Sequence, residues 1–327
     1  MTLEKLAKAA FVSVSTVSKA FSESPEISEK TKQHIFDIAR QYGCFEKYYK
    51  PKYGKYTVAV ICPEVKSAYY SAILTKLEEG ISKKGASMML SLSNFSSKTV
   101  SEHILYYAHF AHADAIIVIG EVPPLEYECE IPIIALSSSG SNDANVEYVH
   151  TNFEGAVCDA VGLLKKYGHR KIGFIGEPLT CGKLSYFCSA MQKNSLEINE
   201  SFIKTVNARF EDAGYLGMES ILQSADRPTA LIAAYDEIAL GAILKIREIG
   251  CDVPQDFSII GMDDITVVSY MNVPLTSIRL NVDALCSTCV EITFRKLKNK
   301  YYSPKIKPKI SSKLIVRESV RDISKRG

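Results

Sequence analysis

From residue 57 onward the chain repeats one pattern: a short apolar run rich in Ile, Val and Ala, then a longer segment whose apolar residues recur at helical spacing. Nothing else in the sequence limits the fold so strongly. Strands joined through helices lie parallel, and a parallel sheet has to be covered on both faces. The runs predict strands at 57–62, 87–92, 115–119, 133–136, 171–175, 229–234 and 257–261. Helices are expected between them, at 70–84, 99–110, 153–166, 183–193, 214–224 and 236–249. The pattern divides near residue 150 into two groups, each sufficient for its own sheet. The expected fold class is therefore an α/β core of two doubly wound parallel-sheet subdomains. Ligands of such sheets bind beyond the carboxyl ends of the strands, so a cleft between the two subdomains is the expected site.

The first 57 residues follow a different rule. Leu3, Leu6, Ala7 and Ala10 recur at helical spacing after Thr2, a good N-cap. Ser13 can cap a second helix with Val17, Ala20 and Phe21 inward and Ser15, Thr16, Ser18 and Lys19 outward or along its edge. Ser28 can cap a third, with Ile35, Ile38 and Ala39 as its apolar stripe and Gly43 as its end. Two short helices joined by a tight turn and backed by a third make a small all-α helix-turn-helix domain. Hydroxyls at the start of the second helix suit phosphate oxygens, while Val14, Ser15 and Lys19 can reach base edges in a major groove. Solubilising a small helix is the plainer role for the same residues, and the spacing alone leaves both open.

Charge is uneven along the chain. The net charge is +2, but residues 1–57 hold ten Lys and Arg against six acids, and the remaining 270 hold 29 against 31. Residues 46–57 (EKYYKPKYGKYT) read as a basic, Tyr- and Lys-rich linker, either lying along a phosphate backbone or simply solvated. A second basic region, 295–327, carries twelve Lys and Arg against two acids, alternating with strand-like apolar residues, which suits an exposed face. The expected boundaries are 1–45 helix-turn-helix, 46–57 linker, and 58–327 core, whose N-subdomain takes about 58–150 with 280–309 and whose C-subdomain takes about 151–279 with 310–320.

At the ends of the expected strands stand Ser67, Tyr69 and Tyr70, then Ser137, Asp236 and the pair Asp263–Asp264. Carboxylates accept from neighbouring hydroxyls while aromatic rings cover C–H faces, a combination that suits a polyhydroxylated ligand. For Asp236, capping the next helix is an equally good role. Other signals carry less. Cys286 and Cys289 form a CxxC inside an expected helix with no second pair, and His103, His109 and His112 lack the carboxylate of an HExxH site. No metal or cofactor is expected. No apolar run approaches the roughly 18–20 residues that span a bilayer, and the nine Cys are scattered singly, so a cytoplasmic protein with reduced thiols and no membrane partner is expected.

The stretch TLEKLAKAAFVSVSTVSKAFSESPEISEKTKQHIFDIARQYG (2–43) resembles the DNA-binding headpiece of the LacI/GalR transcriptional regulators. The likeness rests on a V-S-x-x-T-V-S-[RK] recognition helix, here Val12, Ser13, Thr16, Val17, Ser18 and Lys19, preceded by Thr2, Leu3, Leu6 and Ala7. It implies base readout by Val14, Ser15 and Lys19 and phosphate contacts from Thr16 and Ser18. Phe11 stands where the family usually has Gly, and the A-R-x-L hinge motif is replaced by Lys and Tyr, so the family's minor-groove wedge is not carried over. The segments YGHRKIGFIG (167–176), 228–265, PLTSIR (274–279) and LIVRES (314–319) resemble the same family's periplasmic-binding-protein-like effector core. By position, that likeness implies effector contacts from Tyr69, Tyr70, Ser137, Lys183, Phe210, Tyr235, Asp236 and Asp263. The family often has Asp, Arg and Asn where Ser137, Lys183 and Tyr235 stand, which implies a sugar or glycoside different from that of the best-studied members.

Together these features lead to a non-enzymatic transcriptional regulator, a repressor acting as a homodimer on double-stranded operator DNA, with a small-molecule effector, a sugar, in the cleft. Two other classes fit parts of the sequence: a small-molecule binding protein without a DNA role, and a sugar-modifying enzyme using Asp236 or Asp263 as base. The basic headpiece argues against the first, and binding without turnover would exclude the second.

Overall fold

The computed structural model describes residues 1–22, 24–49, 56–125, 129–138 and 146–324. Two compact units are present, Met1–Thr57 with Ser82–Ser87, and Val58–Ile81 with Met88–Gly327.

In the first unit, helices α1 (Leu3–Ala9), α2 (Val14–Phe21) and α3 (Glu29–Gln41) begin where the sequence supplies caps. The Thr2, Ser13 and Ser28 hydroxyls accept from the amides of Lys5, Thr16 and Thr31 at 3.4, 3.1 and 3.2 Å. Leu6, Ala10, Val17, Ala20, Phe21, Ile35 and Ala39 form one core, with Ile38 half-buried at its margin. A fourth short helix, α4 (Phe45–Tyr48), corrects the expected linker boundary. The Tyr48 ring lies 5.8 Å from Phe21, Tyr49 stacks on Phe45 at 4.7 Å, and the Tyr48 hydroxyl donates to the Met1 carbonyl at 2.6 Å. Aromatic burial thus extends the helical unit through Tyr49, and residues 50–55, half of the expected linker, lie outside the described residues. Phe11, in the turn before α2, has φ +53° and is 93% exposed.

The rest of the chain runs β1 (Tyr56–Cys62), α5 (Ala68–Lys83), β2 (Ala86–Leu92), α6 (Ser97–His109), β3 (Ala115–Ile119), β4 (Ile133–Ser137) and β5 (Val146–Asn152). It continues through α7 (Glu154–Lys166), β6 (Ile172–Gly176), α8 (Cys181–Lys193), β7 (Ile203–Thr205), α9 (Phe210–Leu222), β8 (Ala230–Ala233) and α10 (Asp236–Glu248). It ends with β9 (Ser258–Met262), β10 (Thr276–Leu280), α11 (Val282–Lys298) and β11 (Lys309–Ile315). The strand order is β2-β1-β3-β4-β5-β11-β10-β9-β8-β6-β7. All seven expected strands are present within a residue or so, and β3, β4, β6, β8 and β9 are buried at every position.

Four strands were not expected. β7 has three residues, and β5 and β10 interrupt their apolar runs with Glu147, His150 and Arg279. β11, within the region expected to be an exposed basic face, alternates exposed and half-buried positions and joins the two halves of the core. Its first part pairs parallel with β5 (Lys309 opposite His150) and its last part antiparallel with β10 (Ser312 opposite Leu280).

Two expectations follow. An exposed aromatic residue held in the left-handed region gains nothing from burial, so Phe11→Gly should stabilise the helical unit by up to about 1 kcal/mol, read by amide exchange of Leu6, Val17 and Ile35 in the intact chain. His169 is 1% exposed, with Nδ1 2.8 Å from the Thr229 hydroxyl and Nε2 3.1 Å from the Arg321 carbonyl, and burial lowers its pKa from 6.5. Its unfolded form takes up a proton first, so stability should fall as pH drops below about 6.5, and His169→Gln should flatten that limb in denaturant titrations.

Candidate functional site

Two surfaces collect the residues singled out above. On α2, Val17, Ala20 and Phe21 turn inward, which leaves Val14, Ser15, Ser18 and Lys19 exposed and Thr16 half-buried. The Ser13 hydroxyl lies 2.8 Å from those of Ser15 and Thr16. Lys19 forms an ion pair with Glu26, and its hydrogen bond, with its charge behind it, holds the Glu26 carboxyl below the ordinary range. Both partners of that pair are solvated, so it offers little resistance to exchanging Glu26 for a phosphate or a base edge.

In the core, the carboxyl ends of the strands enclose a cavity of about 460 Å³. Tyr69 and Tyr70 on α5, Ser137 at the end of β4, Lys183 on α8, Phe210 at the start of α9, Tyr235 and Asp263 all line it. The structure therefore brings together seven of the eight expected effector residues. Asp236 is the correction. It is fully buried off the cavity, accepting from the Ile265 amide at 2.8 Å and the Ser277 hydroxyl at 2.7 Å, and burial pushes its carboxyl well above the usual range. The residue at the strand end that does face the cavity is its neighbour Tyr235.

Backbone geometry sets the rest. Gly214 on α9 and Gly241 on α10 allow these helices to cross so closely that a Cβ at either would lie within 2 Å of a carbonyl oxygen of the other helix. That crossing brings the start of α9 beside Tyr235, whose hydroxyl accepts from the Phe210 amide at 2.9 Å and donates to Glu177 at 2.9 Å. Burial raises the phenols of Tyr69, Tyr70 and Tyr235, so all three stay neutral. Lys183 Nζ lies 3.1 Å from Asp263 Oδ1 and about 5.5 Å from the Phe153 ring.

Across the cavity mouth, Arg209 binds Glu64 through both terminal nitrogens, at 2.6 and 2.8 Å, and places Nε 3.1 Å from Glu177. Glu64 follows β1 and Arg209 precedes α9, so this fork spans the cleft. Its guanidinium also lies over the rings of Phe95 and Phe210 at 5.0 and 4.6 Å. Glu64, Glu177 and Arg209 were missed from sequence. The carboxylates stand just beyond strands β1 and β6, where the strand-end rule could have found them; Arg209 follows β7, a strand with no sequence signal.

The arrangement offers neutral phenols, one ammonium–carboxylate pair and several aromatic faces, the chemistry of holding a polyhydroxylated molecule. Among the described residues, no group of three or more His, Cys, Asp or Glu is placed to hold a metal ion, and no helix is long and apolar enough to cross a membrane.

Comparison with known proteins agrees on both parts of the chain. Residues 2–44 match the family model described as bacterial regulatory proteins, lacI family, and residues 161–320 match a periplasmic binding protein-like domain. The chain is 27% identical over 336 residues to the HTH-type transcriptional repressor PurR of Escherichia coli O139:H28, an alignment covering 98% of this chain and 97% of that one. Among solved structures, the transcriptional regulator CelR–cellobiose complex superposes with a TM-score of 0.71 at 24% identity, covering 98% of this chain and 99% of the other. The lac repressor dimer bound to operator and the anti-inducer ONPF gives 0.73 at 20% identity, with the same coverage.

Removing the cross-cleft cation leaves two carboxylates, 13% and 3% exposed, without a cationic partner, although Glu177 keeps the Tyr235 hydroxyl. Arg209 is itself 34% exposed, which reduces the usual cost of breaking a buried pair, so Arg209→Ala should destabilise the core by about 2 kcal/mol and Glu64→Gln by less. Thermal unfolding of the two variants checks the order.

Proposed function

The chain belongs to the LacI/GalR family of bacterial transcriptional regulators, and from that membership we propose that it represses transcription under the control of a sugar or glycoside bound in the cavity between its subdomains. α2 meets the major groove, with Val14, Ser15 and Lys19 toward base edges and Thr16 and Ser18 toward phosphates. Tyr69, Tyr70, Ser137, Lys183, Phe210, Tyr235 and Asp263 hold the effector. The single observation that carries the sugar assignment is the convergence of Tyr rings with the Lys183–Asp263 pair on one cavity of about 460 Å³. The cellobiose held by CelR is a sugar of the same general kind.

A symmetric dimer fixes the spacing of two recognition helices. A ligand that closes the cleft shifts one subdomain against the other and so changes operator affinity, in whichever direction its differential binding favours. Binding, not turnover, is the task, since the chain's relatives are regulators.

The two sites should be separable. Lys19→Ala should weaken binding to the operator fragment found by gel shift on genomic DNA about tenfold and leave effector affinity unchanged, while Asp263→Ala should do the reverse. Calorimetry against a panel of mono- and disaccharides tests the ligand class; absence of heat across the panel would replace the sugar with another small molecule.

A further inference from the structure

Helix α11 runs along the first sheet against the direction of its strands. It starts after Leu280, which pairs with Ser312, and the neighbouring Ser311 pairs with Asn152 at the end of β5. Near its other end, Lys296 Nζ lies 3.0 Å from Glu147, the second residue of β5, in register with Ile134 and Ile117 near the starts of β4 and β3. The last turn of α11 and the segment after it therefore emerge at the edge where these strands begin. The chain arriving from the helix-turn-helix unit enters β1 at that same edge.

This segment is strongly cationic. Residues 295–313 hold eight Lys and Arg and no acid. Lys296 is neutralised by Glu147, and Arg295 pairs with Glu291 while lying over the Tyr302 ring. Lys298, Lys300 and Lys305 are exposed and make no ion pair among the described residues, and Tyr301 between them is 92% exposed. A helix dipole accounts for Lys298 in the last turn of α11 and not for Lys300 and Lys305 beyond it.

We propose that Lys298, Lys300 and Lys305, with the Tyr301 hydroxyl, form a second DNA contact, to the phosphate backbone beside the stretch gripped by α2. The inference rests on the reading of α2 as the DNA-binding helix. Only seven peptide units link Tyr49 to Tyr56 at the start of β1, at most about 25 Å of fully extended chain. Duplex phosphates present dense negative charge that Lys and Tyr side chains contact without reading sequence. The contact adds affinity and salt dependence without adding specificity.

The test uses the full chain and its operator sequence embedded in duplexes of about 20 and about 45 base pairs, the shorter covering little beyond two half-sites one turn apart. Combining Lys298→Gln, Lys300→Gln and Lys305→Gln should make the salt dependence of binding to the longer duplex shallower by about 2 in log–log slope and lower its affinity about tenfold. Binding to the shorter duplex should change far less. An unchanged slope on the longer duplex overturns the proposal, and so does an equal loss on both, which is what a general fall in net charge produces. Loss of binding to polyglutamate with DNA binding intact would assign the stripe to an acidic protein and overturn it as well. Lys19→Ala separates the two readings: if it weakens both duplexes while the triple variant changes nothing, the second contact alone fails. If Lys19→Ala also changes nothing, the reading of α2 fails and takes the second contact with it.

Discussion

One strand joins the two halves of the ligand cleft. Lys309–Ser311 of β11 pair with β5 in the first sheet, and Ser312–Ile315 pair with β10 in the second. A strand shared in this way ties the two sheets together through its backbone hydrogen bonds. It also fixes which ends of the strands meet. The carboxyl ends of β1, β4, β6 and β9 open onto one space, and every residue at the cavity inherits its position from that arrangement.

Within the cavity, two adjacent carboxylates have different tasks. Asp263 and Asp264 both have left-handed backbone angles, φ +92° and +52°, which cost free energy in residues other than glycine and persist only where the surroundings hold them. Asp264 turns away from the cavity to Arg279 and Arg317, and its amide donates to the Ser277 hydroxyl at 3.1 Å. Asp236 accepts from that same hydroxyl and from the Ile265 amide. These contacts hold the turn, and the turn presents Asp263 to Lys183. Asp236, expected at the ligand, is thus a positioning residue beneath it.

The cross-cleft fork adds a second constraint. Arg209 holds Glu64 of one subdomain and Glu177 of the other, so rotation about β11 has to stretch or break a partly buried ion pair. A ligand that strengthens or displaces the fork acts on the same coordinate that sets the spacing of the two subdomains. The aromatic rings over the guanidinium reduce its hydration and make the pair less sensitive to salt than a surface bridge.

Local rules determined much of this protein. Caps at Thr2, Ser13 and Ser28 start three helices because a hydroxyl beside the first free amides is a local event, and continuous apolar runs place the buried parallel strands because both faces are covered. Seven cavity residues were legible from strand ends and from resemblance. Tertiary structure alone decided the rest. β5, β10 and β11 carry polar or charged residues and become strands through long-range pairing, which no local window contains. Arg209 meets Glu64 across 145 residues only after both sheets have formed, and Asp236 turns inward because Ser277 and Ile265 supply the hydrogen bonds that make its burial possible.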